Sequence, residues 1–306
     1  MVAAFLVHKF AYNKVVYLLR NRYLACSGDR LEKKEIPMEY LVLIIGIVAA
    51  SCVAGVLAGL LGVGGGIVLV PAMFWMFQLV KFPSELSMHM AVATSLASIM
   101  FTAVASTRAH HKRGGVDIEL LKSWAPAMAL GALSGGFMLR FIDASALKLV
   151  FGIVGLLVAG NFCLKRSLVI ADKLPTSKPA NMGLSGAIGF VSSLMGIGGG
   201  TLGVPTLSAF SYPTHRAVGT SAAFGLIIAV PAVCGFIISG WNVPGRPPFS
   251  LGYASIPAVL AIIPITTLLA PVGANLAHSL DARWIKYAFA VFLGVTSLRM
   301  LASVLT

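Results

Sequence analysis

Hydrophobic residues form a series of long runs along the chain, each close to the roughly 20 residues that a helix needs to cross a bilayer. The runs cover residues 38–61, 90–106, 124–139, 146–164, 220–239, 253–276 and 285–298. One run of this kind is compatible with a buried helix of a soluble protein, but seven in one chain are not. The pattern predicts an all-α membrane protein with many crossings.

A glycine-dense stretch occurs twice within this hydrophobic pattern. LGVGGGIVLVP occupies residues 61–71 and MGIGGGTLGVP occupies residues 195–205, with six of eleven positions identical. Glycine and proline both weaken helices, so each stretch predicts a break in a membrane helix. We call residues 62–65 the first break and residues 196–199 the second break.

Two further matches follow in the same order along the chain. HMAVATS at 89–95 matches HRAVGTS at 215–221, and DASALKLVF at 143–151 matches DARWIKYAF at 281–289. An ordered set of repeats predicts the architecture of the whole chain. We therefore expect an internal duplication, with homologous halves at residues 38–166 and 181–304 and a polar linker at 167–180.

The spacing of the matches differs by eight residues, which predicts a longer loop around residues 81–87 in the first half. Residues 1–37 are basic, and we expect a tail that lies at the membrane surface. A start codon placed too far upstream is the alternative.

Each half contains four or five membrane segments, which gives eight to ten in total. If the segments on both sides of a break cross separately, each half has five crossings and the halves are inverted. If they form one broken crossing, the halves are parallel. The basic loops at 108–113 and 165–178 lie on one side in both cases, and we favour the inverted arrangement.

Charge and composition narrow the class of function. The formal net charge is +13, but the basic residues gather in the tail and in loops between spans, as in the cytoplasmic loops of membrane proteins. Membrane topology therefore explains the charge, and we expect no nucleic-acid partner. No pair of cysteines has the CxxC spacing of a metal site, and we expect no metal and no cofactor.

The acidic residues are informative through their positions. All ten lie in the tail, in loops or at the edges of spans. A carboxylate within the membrane marks a functional site by default, and a carrier of cations usually needs one. Their positions favour an anionic or neutral substrate.

Interrupted segments at matching points of two halves are typical of the central site of a transporter. A helix that restarts after a break presents free N–H groups and a partial positive charge, which suit a small oxyanion. Close packing between helices is the alternative role of such glycines.

Paired hydroxyls follow each break at matching positions, Thr94 and Ser95 in the first half and Thr220 and Ser221 in the second. They could donate hydrogen bonds to an oxyanion or could bond to their own helix. His89 and His215 begin the same helices and are candidates for contact with a proton or an anion, with a structural role at the helix start as the alternative.

The doubled G-x-GGG-x4-P motif followed by H-x-AV-x-TS resembles the sulfite exporter TauE/SafE family of membrane permeases over residues 38–304. The resemblance implies transport of small sulfur-containing or organic anions across the bacterial cytoplasmic membrane. Ala93 of the first half departs from the pattern that Gly219 keeps in the second. The predicted substrate-binding residues are Gly62, Gly64, Gly65, Gly66, Pro71, Thr94, Ser95, Gly196, Gly198, Gly199, Gly200, Thr201, Pro205, Thr220 and Ser221.

The leading hypothesis is a secondary transporter of a small anion, such as sulfite, a sulfonate or an organic acid, in the inner membrane. A passive anion channel is the alternative. An enzyme is disfavoured because no catalytic constellation is suggested by spacing. The expected partners are the small anion and the lipid bilayer, and a homodimer is left open.

Overall fold

The computed structural model describes residues 38–80, 82–164, 169–175, 177–276 and 282–305. Their helices are α1 (Met38–Leu61), α2 (Gly66–Leu79), α3 (Ser84–His111), α4 (Ile118–Met138), α5 (Ala144–Cys163), α6 (Lys178–Met195), α7 (Gly200–Ala209), α8 (Thr214–Ser239), α9 (Ile256–Leu276) and α10 (Ala282–Leu305). A short 3-10 helix (Leu139–Phe141) follows α4, and strands β1 (Ser250–Leu251) and β2 (Ala254–Ser255) pair before α9. The predicted tail at 1–37 lies outside the described residues.

Six of these helices, α1, α3, α5, α8, α9 and α10, are long and apolar enough to cross a membrane. The prediction of an all-α protein with many membrane segments is confirmed at this level. The apolar run at 124–139 lies within α4, which is not among the six although it has 21 residues. The seven predicted runs therefore reduce to six candidate spans by composition.

The order of helices is the same before and after the linker. A long helix, a glycine break, a short helix and three long helices occur in residues 38–163 and again in residues 178–305. The prediction of a longer loop at 81–87 is wrong, because four residues join the short helix to the next helix in both sets. The extra residues lengthen α2 and the start of α3 by one turn each.

Matched helices of the two sets run antiparallel. A Cβ on Gly219, near the start of α8, would be 2.3 Å from the carbonyl oxygen of Gly115, which follows α3, and one on Gly225, further along α8, would be 3.2 Å from Ala103, further back in α3. In the last helices, Lys148 near the start of α5 bonds to the Ser303 carbonyl near the end of α10. The two sets of helices therefore point in opposite directions, as the inverted arrangement requires.

The chain also turns back at the first break. Ala54 of α1 lies beside Gly65, whose Cβ would be 2.7 Å from its carbonyl oxygen, while a Cβ on Gly46 would be 2.6 Å from Met76 Sδ. Residues later in α2 therefore contact residues earlier in α1. The short helix is antiparallel to α1, which gives five segments in this set.

The core lies around α3 and α8, the most enclosed of the six candidate spans. Within their most apolar windows 78% and 61% of residues are buried, against 22% in α9. The outer helices expose large aliphatic side chains such as Leu157, Leu260 and Leu268, which suits contact with lipid tails. The burial of α3 and α8 therefore places them at the centre of the helix packing.

Candidate functional site

The backbone of the first break has a left-handed conformation that favours glycine. Gly62, Gly64 and Gly65 have φ values of 66°, 76° and 78°. In the second break Gly196 has φ 69° and ends α6, whereas Gly199 has an ordinary φ of −59°. A Cβ on Gly199 would lie 2.2 Å from Phe224 Cβ, so glycine is required there for space.

The two breaks lie against each other with their backbones in contact. A Cβ on Gly66 would be 2.5 Å from the Gly196 carbonyl oxygen, and one on Gly200 would be 1.9 Å from the Gly62 carbonyl oxygen. These contacts are reciprocal, because Gly62 and Gly66 occupy the positions in the first glycine-dense stretch that Gly196 and Gly200 occupy in the second. Close packing is thus one role of these glycines, and it joins both breaks at one place.

Helices α3 and α8 each cross the break of the opposite half. Ser95 of α3 donates a hydrogen bond of 2.8 Å to the Gly196 carbonyl oxygen. Val92 of α3 packs on Gly196, and Val218 of α8 packs on Gly62 in the same way. The predicted site residues of the two halves are therefore interleaved.

Thr94 and Thr220 also make matched bonds between the halves. Thr94 Oγ1 accepts a bond of 3.0 Å from the Ser255 N–H before α9, and Thr220 Oγ1 accepts one of 2.9 Å from the Asp117 N–H before α4. Both threonines are fully buried. A threonine that accepts such a bond still has its own O–H as a donor.

The second break carries hydroxyl groups that have no partner. Ser192, Thr201 and Ser221 are fully buried, and their oxygens lack a hydrogen-bond partner within the described parts of the chain. Ser192 lies one turn before the break and Thr201 in the first turn of α7, while Ser221 Oγ lies 2.6 Å from a Cβ placed on Gly203 of α7. Buried polar groups without partners are costly, which makes these hydroxyls candidates for contact with a ligand.

The first break lacks a hydroxyl at two of the three matching positions. Ala58 and Ile67 occupy the positions that Ser192 and Thr201 occupy in the second half. The equivalent of Ser221 is Ser95, which has already donated its hydrogen bond. Ser192 was not among the residues predicted from the sequence. Its alignment with Ala58 could have shown that the second break has more hydroxyl groups than the first.

Pro71 and Pro205 lie inside α2 and α7, each five residues after the helix begins. A proline removes the hydrogen bond to the carbonyl four residues before it. The carbonyl groups of Ile67 and Thr201 therefore lose that helical donor. Each short helix thus lacks one of its internal hydrogen bonds in its first turn.

His89 has a mainly structural environment. Its Nδ1 lies 2.9 Å from the Glu85 carbonyl oxygen, and its Nε2 lies 2.8 Å from that of Ile142 and 3.1 Å from that of Leu139. The ring packs against Tyr253 at 5.3 Å between centroids. These contacts join the start of α3 to the segment that follows α4, and they favour the structural role for this histidine.

An ionic network joins the halves near the start of α8. Asp117 accepts hydrogen bonds from the backbone at the start of α4 and from the Tyr212 hydroxyl, and it lies 3.0 Å from the Arg216 guanidinium. Burial raises the pKa of Asp117, but the bonds from Tyr212 and the backbone and the Arg216 charge outweigh it and lower the pKa. Burial and the bond to Asp117 raise the pKa of Tyr212 to about 12. His215 is exposed beside this network and lies against Gly115.

The acidic side chains that the structure describes lie at helix starts or in the linker. Glu85, Asp117, Glu119 and Asp143 begin helices, and Asp172 lies in the linker. Among the described residues no group of three His, Cys, Asp or Glu side chains could hold a metal ion. The chemistry of the centre is therefore that of hydroxyls and backbone amides.

Comparisons with known proteins agree that the chain is similar to membrane transporters. The family model for sulfite exporter TauE/SafE matches residues 47–300. A probable membrane transporter protein of Haemophilus influenzae is 33% identical over 82% of this chain and 95% of its own length. One of Methanocaldococcus jannaschii is 28% identical over 87% of this chain and 98% of its own length.

A probable membrane transporter protein of Bacillus subtilis is 27% identical over 63% of this chain and 78% of its own length. No solved structure matches the chain. The matched relatives are membrane transporters by name, which supports membrane transport as the function here. The chain belongs to the sulfite exporter TauE/SafE family.

Proposed function

We propose that the protein is a secondary transporter of a small anion, such as sulfite, a sulfonate or an organic acid. The observation that carries the proposal is the meeting of two glycine breaks between antiparallel sets of helices. Transporters with inverted repeats bind substrate near the midplane, where helices are interrupted. The breaks and the hydroxyls around them form the proposed site.

The chemistry around the second break supports an anion as the substrate. The hydroxyls of Ser192, Thr201 and Ser221 can donate hydrogen bonds, and the start of α7 adds a partial positive charge. The described carboxylates lie at helix starts and in the linker, away from the breaks in sequence. A cation at the start of α7 would instead meet this partial positive charge.

The packing at the centre favours a carrier over a passive channel. The backbones of the two breaks leave no space for a Cβ at Gly66 or Gly200. A channel needs a continuous path for its ion, whereas this contact closes the centre. Rocking of one half against the other would separate the breaks and expose the donors to one side at a time.

Charge suggests the orientation of the protein in the inner membrane. The face at which α3 ends and α8 begins carries the basic side chains Arg108, Lys112, Arg113, Lys122 and Arg216. Cytoplasmic faces of membrane proteins collect lysine and arginine. We assign this face to the cytoplasm, and we assign the two sets of helices to the duplicated halves expected at residues 38–166 and 181–304.

Thermal stability and binding of the purified protein test the proposal. Sulfite, sulfate, sulfoacetate and short carboxylates are added to the protein in detergent, because a ligand that binds the folded state raises the melting temperature. At least one of these anions should stabilise wild type. If none does, the anion-transport proposal fails.

A matched pair of variants then locates the site. Thr201→Val should weaken binding of the stabilising anion about tenfold, which corresponds to about 1.4 kcal/mol for a lost hydrogen bond. Thr267→Val is the control, because Thr267 of α9 also has an unpartnered buried hydroxyl but lies on a peripheral helix. Equal affinities of the two variants would contradict a site at the second break.

A further inference from the structure

One large aliphatic side chain lies where the two breaks meet. Ile99 of α3 is fully buried. Its Cγ2 atom lies 3.2 Å from a Cβ placed on Gly64 of the first break and 3.5 Å from one placed on Gly198 of the second. Its Cδ1 atom lies 2.8 Å from a Cβ placed on Gly66 at the start of α2. Ile99 therefore contacts both breaks and the helix that restarts after one of them.

The matched position in the other half is a glycine. Gly225 follows His215 by the ten residues that separate Ile99 from His89. A Cβ on Gly225 would lie 3.7 Å from Ile99 Cγ2 and 3.9 Å from the Gly199 backbone nitrogen. The centre is thus filled from one side by a branched side chain, and the symmetric position contributes no side chain at all.

We propose that Ile99 sets the size of the anion that the central site accepts, an inference that rests on the proposed function. Ile99 lies beside Gly225, which in turn adjoins the Gly199 amide of the second break. The unpartnered hydroxyls of Thr201 and Ser221 lie on the helices that flank this break. In this proposal the oxyanion lies at the second break on the Gly225 side of Ile99, and the group attached to it meets the isoleucine.

Substrate selection would then depend on the size of the group attached to the oxyanion. A bare oxyanion such as sulfite needs only the donors, whereas an organic sulfonate also needs space for its carbon group. Hydrophobic pockets discriminate by about 10–200-fold for each methylene that fits or fails to fit. Shortening Ile99 should therefore change which sulfonates bind more than how well sulfite binds.

Affinities of sulfite, methanesulfonate and benzenesulfonate for wild type, Ile99→Val and Ile99→Ala test this statement. Ile262→Ala is the matched control, because Ile262 of α9 is equally buried and the atoms nearest to the glycines of both breaks belong to other residues. We expect the ratio of benzenesulfonate to sulfite affinity to rise about tenfold or more in Ile99→Ala. It should rise less in Ile99→Val and should keep its wild-type value in Ile262→Ala.

The outcomes separate the inference from the proposed function. If folded Ile99→Ala keeps the wild-type ratio while all proteins bind sulfite, Ile99 does not select size, and the proposed function stands. If Ile99→Ala does not fold, the ratio in Ile99→Val decides, and an unchanged ratio overturns the inference. If neither wild type nor any variant binds an anion of the series, both the proposed function and the inference fall.

Discussion

Replacing Gly200 with alanine tests whether the contact between the breaks holds the two halves together. A Cβ at this position would lie 1.9 Å from the Gly62 carbonyl oxygen and 2.6 Å from Val63 Cα. Non-bonded heavy atoms pack best at about 3.5 Å, so the two backbones must separate by roughly 1.5 Å. Both atoms that block the Cβ belong to backbone, which cannot rotate away as a side chain can.

The expected magnitude combines two opposing effects. Alanine is better than glycine in a helix by up to about 1 kcal/mol, whereas forcing extra atoms into a packed core costs about 1–3 kcal/mol or more. A clash with rigid backbone belongs at the upper end of that range. We expect a net loss of about 2 kcal/mol in the free energy of unfolding.

Two other glycines provide matched controls. Gly160 of α5 and Gly183 of α6 have open space where a Cβ would lie. Alanine at either position should leave stability unchanged or raise it by up to about 1 kcal/mol, because only the helix propensity changes.

Thermal denaturation in detergent, at one heating rate for all proteins, measures the effect even if unfolding is irreversible. Gly200→Ala should melt several degrees below wild type, and the two controls should melt at or above it. A Gly200→Ala protein that melts at or above wild type would refute the close contact between the breaks.

Three further predictions concern the contacts between the halves. Ser95→Ala should lose about 1 kcal/mol of stability, because the buried Gly196 carbonyl loses its donor. Chemical denaturation followed by fluorescence measures this loss, and a variant as stable as wild type would contradict the prediction. Tyr212 has its pKa raised to about 12, so its contribution to stability is full below about pH 10 and is lost as the pH rises from 10 to 12; melting curves of Tyr212→Phe should show a shallower loss over that range than those of wild type, and parallel curves would count against the bond to Asp117. Arg216→Gln should reduce stability by at most about 1 kcal/mol, since the ion pair is partly exposed. A loss as large as that of Gly200→Ala would contradict this small contribution of the ion pair to stability.

The local features of the centre could be predicted from the sequence. Glycine and proline act on their own helix, so the breaks at 62–65 and 196–199 and the short helices after them were visible without tertiary information. The boundaries of α1 at Met38–Leu61 follow from a long, mainly apolar run. The match between halves likewise indicated which positions are equivalent.

Features that depend on contact between distant segments could not be predicted. Loop charges did not distinguish inverted from parallel halves, because both models place the basic loops on one side. The antiparallel packing of α3 on α8 rests on contacts such as that between Gly115 and Gly219, which lie more than 100 residues apart in the sequence. The partners of Thr94 and Thr220 are likewise in the opposite half, more than 100 residues away.

The alignment of the halves also misplaced the extra residues of the first half. An alignment shows that eight residues are added but not whether they extend a loop or a helix. In the structure they add one turn to α2 and one turn to α3. The ionic network around Asp117 was missed for a related reason, since Tyr212 and Arg216 approach it only after the loops of both halves come together.

Counterflow in proteoliposomes is the measurement that tests the central claim most directly. Vesicles that contain purified protein are loaded with the unlabelled anion that gave the largest thermal stabilisation, and a trace of the same labelled anion is added outside. A carrier predicts transient accumulation of label that saturates with concentration and falls in Thr201→Val but not in Thr267→Val. Unsaturable flux, or a conductance without accumulation, would contradict alternating access at the glycine breaks.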